Sequence, residues 1–149
     1  MMKHEEYMRM ALEEAHAAAA SGDVPVGAVI VYEGKIIAHA HNEREVSGDP
    51  TAHAEILAIR RAARAIGRRR LTGCRMYVTL EPCPMCAGAI CMSGLDELYY
   101  GAGDERAGCA GSVYALTEDA ALGVCIPAHA GLMEEECGDV LRSFFQDKR

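Results

Sequence analysis

The stretch YVTLEPCPMCAGAI, residues 77–90, passes from a β-branched, apolar run into a segment typical of a helix. Proline at the first position of a helix forfeits no hydrogen bond, so Pro84 marks a helix start directly after the strand. Cys83 and Cys86 stand at positions i and i+3, on one face of the first helical turn. A helix N-terminus lowers the pKa of a thiol, and metals bind the thiolate. The stretch therefore predicts two metal ligands at the start of a helix.

A second stretch, TAHAEI at residues 51–56, supplies the third ligand. One imidazole, from His53, and two thiolates make an open zinc site, because catalytic zinc takes three protein ligands and keeps one position for water. Glu55 follows His53 by two residues. Taken alone, Glu55 would be interpreted as a carboxylate at the start of a helix, where the helix dipole favours negative charge. The order H-x-E…P-C-x-x-C, however, is typical of zinc-dependent nucleobase deaminases, in which the glutamate transfers protons. We predict a metal site of His53, Cys83 and Cys86 with Glu55 as the catalytic residue.

The remaining sequence alternates between helical and extended patterns. Helices are predicted over residues 7–20, from a cap at Thr51 through Ala63, from Cys83 to Gly94 and over 134–145. Strands are predicted at residues 24–31, 35–39, 75–80, 97–100 and within 122–132, where Pro127 weakens the last one. Residues 42–50 are expected to be a loop and 101–111 a mobile loop. This alternation predicts an α/β fold, a three-layer α/β/α sandwich with a central mixed sheet of about five strands.

Composition is that of one soluble domain spanning residues 1–149, with 50% hydrophobic and 25% charged residues. No apolar run approaches the roughly 20 residues that cross a bilayer. Glu5 and Glu6 stand where a signal peptide would be basic, so a cytoplasmic location is expected. Seven cysteines, an odd number, argue against a disulfide framework. Five cysteines outside the metal motif are expected to be small buried hydrophobes: Cys74, Cys91, Cys109, Cys125 and Cys137.

A net charge of −7 and a pI near 5.3 disfavour a non-specific nucleic-acid binder. The cations are unevenly distributed, however, since seven of the fifteen fall within residues 60–75. Two interpretations stay open: a solvated helix face with its exit loop, and a local phosphate-binding patch on an acidic protein. The run consists of Arg60, Arg61, Arg64, Arg68, Arg69, Arg70 and Arg75.

Nearly the whole chain resembles the cytidine/nucleotide deaminase superfamily and, within it, the tRNA-specific adenosine deaminases of the TadA type. The zinc motif indicates only the superfamily, and its flanks indicate the branch. The stretches that carry the resemblance are residues 23–29, Asn42, 50–56, 77–90, 108–112 and 136–145. Three stretches depart from the family pattern and bear on RNA affinity or local packing: residues 68–71, Gly103 and residues 126–130.

The resemblance implies a cytidine deaminase-like fold and hydrolytic deamination of adenosine to inosine at the wobble position of a tRNA anticodon. It implies one zinc per subunit, a zinc-activated hydroxide with Glu55 as proton shuttle, an anticodon stem-loop as the bound partner, and a homodimer. By position, Asn42 and the backbone at Ala54 are implied to hold the flipped-out base, and Asp104 and Arg106 to contact neighbouring nucleotides. Residues 144–145, two phenylalanines, resemble a family pair near the RNA, although the sequence pattern alone favours a core role.

Two other functions remain as alternatives. A deaminase of a free base such as guanine or cytosine needs no basic surface and suits the acidic pI, but its flanking sequences differ from those quoted above. A non-catalytic zinc scaffold needs neither Glu55 nor an open ligand position. Incubation with tRNA and, separately, with free bases distinguishes these possibilities.

Overall fold

A computed structural model describes residues 3–147 of the chain. Its sheet contains the strands β1 (Gly27–Tyr32), β2 (Lys35–His41), β3 (Cys74–Leu80), β4 (Glu97–Ala102) and β5 (Ala128–His129). The α-helices in this part of the chain are α1 (His4–Ala20), α2 (Arg44–Ser47), α3 (Ala54–Ile66), α4 (Pro84–Ser93) and α5 (Glu134–Asp147). Two short 3₁₀ turns, Leu116–Glu118 and Ala120–Leu122, precede β5.

The sheet is mixed, with strand order β2-β1-β3-β4-β5. β1 is antiparallel to β2 and β3, whereas β3, β4 and β5 are parallel to one another. Successive side chains of a strand point to opposite faces, and the core divides accordingly. Ile30 and Val78 pack with α3 and α4 in one cluster, and Val29 and Tyr77 pack with α1 and α5 in the other. The predicted α/β/α sandwich and its five-stranded mixed sheet are confirmed.

The first two strands form a β-hairpin, with Glu33 and Gly34 at φ 51° and 77° in the tight turn. Its first strand begins at Gly27, not at Val24 as predicted. Gly27 packs so closely on α1 that an added Cβ would lie 1.9 Å from the backbone oxygen of Ala11. The residues before it form a turn, since the N–H of Val26 donates to the carbonyl of Val24 at 2.8 Å.

Three local predictions need correction. Thr51 does not cap the second helix, because its hydroxyl donates to Asp49 at 2.7 Å and the N-cap position falls to His53. Residues 42–50 contain the one-turn helix α2. The first two residues of the predicted loop 101–111 extend β4.

All seven cysteines are free thiols, and Cys74, Cys109 and Cys137 are buried as expected. Cys91 is half-buried, and the prediction of a buried Cys125 is wrong, because this residue is exposed. Phe145 is 51% exposed, so the second member of the phenylalanine pair does not belong to the core. Within residues 3–147, none of the helices combines the length and apolar character that crossing a bilayer requires.

Candidate metal centre and active site

The starts of α3 and α4 bring three potential metal ligands together. His53 and Cys83 are the N-cap residues of the two helices, and neither side chain caps its own helix. The Nδ1 atom of His53 lies 3.7 Å from the sulfur of Cys83 and 3.6 Å from that of Cys86. A tetrahedral zinc ion with ordinary bond lengths would separate nitrogen and sulfur by about 3.6 Å. The donor set and its spacing therefore fit zinc, and the three residues form a candidate metal site.

Hydrogen bonds within the cluster favour the thiolate form of Cys83. The hydrogen bond from Cys86 and a further one with His53 lower the pKa of Cys83 to about 4. The same bond, together with burial, raises the pKa of Cys86. The hydrogen bond to Cys83 raises the pKa of His53, against the effect of burial. Cys83 is thus a thiolate at neutral pH, the form in which cysteine coordinates zinc.

Glu55 lies in the first turn of α3 and is only 4% exposed. Burial raises the pKa of its carboxyl to about 7. A group that titrates near the working pH both accepts and returns a proton readily, which is what a general acid/base requires. The burial of Glu55 and the pKa of its carboxyl are suited to the proton transfer that the sequence predicts for it.

A cavity of about 140 Å³ opens beside these residues. This volume is well below the roughly 300–1,000 Å³ of pockets for drug-sized ligands, so it suits a single ring system. Predicted site residues that line it are Asn42, His53, Glu55, Cys83 and Asp104. Lining residues that the sequence analysis did not identify as site residues are Val24, Val26, Arg44, Leu80 and Glu81.

Asn42 is oriented by the helix that carries Glu55. Its side-chain oxygen accepts a hydrogen bond from the backbone N–H of Ala54 at 2.8 Å, and both residues are buried. This bond occupies the Ala54 N–H. The side-chain NH₂ of Asn42 has no hydrogen-bond partner among residues 3–147. It is therefore available as a donor at the cavity. Ala54 therefore contributes by fixing Asn42 and lies outside the cavity lining itself.

Glu81 holds the loop that carries Asp104. Its carboxylate is 2% exposed and accepts backbone N–H groups of Asp104, Ala110 and Ser112 at 2.9–3.0 Å, as well as the Ser112 hydroxyl. Asp104 is thereby placed at the cavity, and its Oδ1 accepts the backbone N–H of Arg106. Arg106 itself is exposed and lies outside the cavity lining.

Asp23 holds another part of the cavity wall. Its side chain is fully buried and accepts the backbone N–H groups of Val24 and Glu45 at 2.8 and 2.9 Å. It also accepts the Nε–H of Arg44 at 3.3 Å, which places this guanidinium at the cavity. Asp23 and Glu81 lie within family-like stretches, so the sequence contained a signal for them. Arg44 stands in a polar loop without any motif.

Part of the arginine run has a structural role. Arg68 donates to the carbonyls of Arg70 and Thr72, each at 2.9 Å, and its guanidinium lies 5.8 Å from the ring centre of Tyr32. These residues follow the C-terminal end of α3, whose thirteen residues span about 20 Å from the His53 end. Arg68, Arg69 and Arg70 therefore lie far from the cavity, whereas Arg60, Arg61 and Arg64 lie within α3 itself.

Comparison with known proteins agrees with this geometry. The family model of MafB19-like deaminases matches residues 2–149. The tRNA-specific adenosine deaminase of Bacillus subtilis strain 168 is 45% identical over 149 residues, which cover 100% of this chain and 92% of that protein.

Two solved structures are also similar. One is a tRNA:A34 deaminase studied for A-to-I editing at the wobble position, with a TM-score of 0.88 and 41% identity over 91% of this chain and 99% of that one. The other is the guanine deaminase of Bacillus subtilis, with a TM-score of 0.66 and 42% identity over 68% of this chain and 66% of that one. The family model and the full-length relative show that the chain belongs to the tRNA-specific adenosine deaminases within the MafB19-like deaminase family.

Proposed function

We propose that this protein deaminates adenosine to inosine at the wobble position of a tRNA anticodon. The observation that carries the proposal is the convergence of Asn42, Glu55 and the metal-ligand cluster on one small cavity. Duplex bases are inaccessible to such a cavity, whereas the unstacked bases of an anticodon loop can enter it. Full-length similarity to tRNA-specific adenosine deaminases supports the same substrate.

The proposal includes one zinc per subunit, held by His53, Cys83 and Cys86. When bound, zinc lowers the pKa of water to roughly 7 and so supplies a nucleophile at neutral pH. Glu55 would carry two protons in turn: the first from the attacking water to the ring nitrogen, and the second from the hydroxyl then bonded to C6 to the departing amine. Its buried carboxyl, with a pKa of about 7, is suited to both transfers.

The substrate contacts that we propose follow the two walls of the cavity. Asn42, fixed by the Ala54 N–H, donates to the base. Asp104, fixed by Glu81, accepts from the target nucleotide or its neighbour. Arg106 lies on the same loop, and its backbone N–H is held by Asp104. Because Arg106 is not among the residues that line the cavity, we propose that its side chain contacts a nucleotide outside the cavity.

We further propose that the chain forms a single domain and a homodimer that acts in the cytoplasm, where tRNA is found. Helix α4 supports association between copies, because its sequence is apolar on every side and such helices are normally buried. Its residue Met92 is nevertheless 81% exposed, and Tyr114, on the segment that packs near α4, is 65% exposed.

Similarity to guanine deaminases makes guanine the second candidate substrate. A free base has no phosphate and no neighbouring nucleotide. It would therefore gain no binding energy from the contacts that we propose for Asp104 and Arg106 with neighbouring nucleotides. Binding energy from such remote contacts is what raises the rate of a large substrate over that of its fragment.

The deciding experiment compares an anticodon stem-loop carrying adenosine at the wobble position with adenosine, guanine and cytosine. Inosine, xanthine, uracil and ammonia are quantified for the wild type and for Glu55→Gln as the inactive control. We expect kcat/KM for the stem-loop to exceed that for adenosine by orders of magnitude, with no turnover of guanine. Comparable kcat/KM for guanine and the stem-loop would refute the proposal.

A further inference from the structure

The cavity lining carries charges of both signs. Arg44 stands on the wall that Asp23 fixes, and Asp104 stands on the wall that Glu81 fixes. A ligand in the cavity is therefore oriented by charge, with its anionic group toward Arg44 and its hydrogen-bond donors toward Asp104. The catalytic roles assigned above use neither the guanidinium of Arg44 nor the buried carboxylate of Asp23.

Arg44 is anchored on one side and available on the other. Its Nε–H is bound by Asp23, and its side chain is 34% exposed. Within residues 3–147, its two terminal nitrogens have no acceptor. A guanidinium with two free, parallel N–H donors matches two oxygens of a phosphate. Because Asp23 is fully buried and held by two backbone N–H groups, the guanidinium is fixed before any ligand arrives.

We propose that Arg44 binds a phosphodiester adjacent to the target adenosine and is thereby a determinant of the preference for RNA over a free nucleoside. This inference rests on the proposed function. With the base in the cavity, the ribose and its two phosphates must lie at the mouth, because the cavity holds only a single ring system. Apart from His53, Arg44 is the basic residue among those that line the cavity. The acidic lining residues Asp104, Glu55 and Glu81 would repel a phosphate placed beside them.

The same geometry orients the sugar. The Oδ1 atom of Asp104 is occupied by the backbone N–H groups of Arg106 and Ala107. Its Oδ2 atom has no donor in the part of the chain that the structure describes. We assign to this free oxygen the 2′-hydroxyl of the target ribose or of its neighbour as donor. This hydroxyl is what distinguishes RNA from DNA.

The test is a double-mutant cycle in which one change is made in the RNA and the other in the protein. Anticodon stem-loops are synthesised with a neutral methylphosphonate 5′ or 3′ of the target adenosine, and with one in the stem as a control. Each RNA is assayed for inosine with the wild type, Arg44→Ala and Arg9→Ala. Arg9 is the matched control because it is an exposed arginine paired with Glu5 on α1. Thermal unfolding of each variant confirms that it is folded.

For one of the two flanking positions we expect the methylphosphonate to lower the wild-type kcat/KM about tenfold, mainly through KM, as losing a charge-assisted hydrogen bond does. In Arg44→Ala the same RNA should react like the unmodified one, since the contact is already absent. The salt slope of RNA affinity should fall by about 0.7 in Arg44→Ala and stay unchanged in Arg9→Ala.

Equal methylphosphonate effects in the wild type and in Arg44→Ala overturn the inference, as does a wild type indifferent to both flanking substitutions. If Arg44→Ala fails to fold, the Asp23→Asn/Arg44→Gln double variant, which leaves no buried charge unpaired, replaces it in the cycle. A wild type that forms no inosine from the unmodified stem-loop refutes the proposed function itself, and the inference with it.

Discussion

Gly108 lies directly against the carboxylate of Glu81. A Cβ added at Gly108 would lie 2.4 Å from both Cδ and Oε1 of Glu81 and 2.5 Å from the backbone oxygen of Asp104. No side chain fits in this space. The loop that carries Asp104 can therefore close onto the buried Glu81 only where position 108 is glycine.

Gly108→Ala should consequently displace the loop and weaken RNA recognition. We expect a loss of about 1–3 kcal/mol in the free energy of unfolding, as in other overpacked sites, with a raised KM for the stem-loop. Gly88→Ala is the matched control, because an added Cβ there meets nothing within 4 Å. On α4 that change should stabilise by roughly 0.5–1 kcal/mol. Urea unfolding and steady-state kinetics measure both effects, and equal behaviour of the two variants would contradict the role of Glu81.

Glu55→Gln should keep the fold and the metal but lose nearly all activity. Glutamine preserves the shape of the side chain and cannot transfer the proton, which is worth roughly 10²–10⁴-fold in rate. Glu135→Gln, an exposed position on α5, serves as the control for loss of one negative charge. A Glu55→Gln variant with the wild-type kcat on the stem-loop would show that another residue moves the proton.

Removal of the thiolates should remove the metal. We expect elemental analysis to find one zinc per chain in the wild type and in Glu55→Gln, and none in the Cys83→Ala/Cys86→Ala double variant. Cys125→Ala is the control, since this thiol is exposed and lies outside the metal cluster. Full zinc content in the double variant would mean that the metal binds elsewhere.

Asp23 should make stability depend on acid pH. Although burial opposes it, hydrogen bonds from Glu45, Val24 and Arg44 lower the pKa of Asp23 below its ordinary value of 3.8. A carboxyl whose pKa is lower in the folded state than in the unfolded state stabilises the fold at pH values above its unfolded-state pKa. This stabilisation is lost as the pH falls through the folded-state pKa.

The comparison of the wild type with Asp23→Asn isolates this effect, because all other titrating groups are common to both. We expect the difference in unfolding free energy to be roughly 1–3 kcal/mol near neutral pH. It should stay constant down to about pH 5 and shrink below about pH 4. Urea titrations across this range measure it, and a difference that does not vary with pH would exclude an ionised Asp23.

Much of this molecule follows from local sequence. The strand and the helix in residues 77–90, the ligand positions of His53 and Cys83, and the glycine turns each depend on neighbouring residues. What did not follow depends on contacts between distant parts of the chain. The start of β1 is set by the contact of Gly27 with Ala11, and the place of Arg44 is set by Asp23, twenty-one residues earlier.

The cysteines illustrate the same limit. Burial of Cys74 and Cys137 could be predicted from the usual behaviour of free thiols. The same reasoning predicted a buried Cys125, but this residue lies in an exposed segment before β5. The residue type alone does not show which parts of the chain will pack against it. The hydrogen bonds of Glu81 likewise join it to residues 23 to 31 positions further along the chain.

The residues that line the cavity, and the neighbours that hold them in place, come from four successive stretches of the chain: residues 23–26, 42–55, 80–86 and 104–112. During translation, His53 therefore leaves the ribosome thirty residues before Cys83. All three candidate metal ligands have been synthesised once Cys86 is added, whereas Ser112, which binds Glu81 together with the loop of Asp104, follows twenty-six residues later. The chain thus receives its candidate metal ligands before the last of the residues that hold the wall of Asp104.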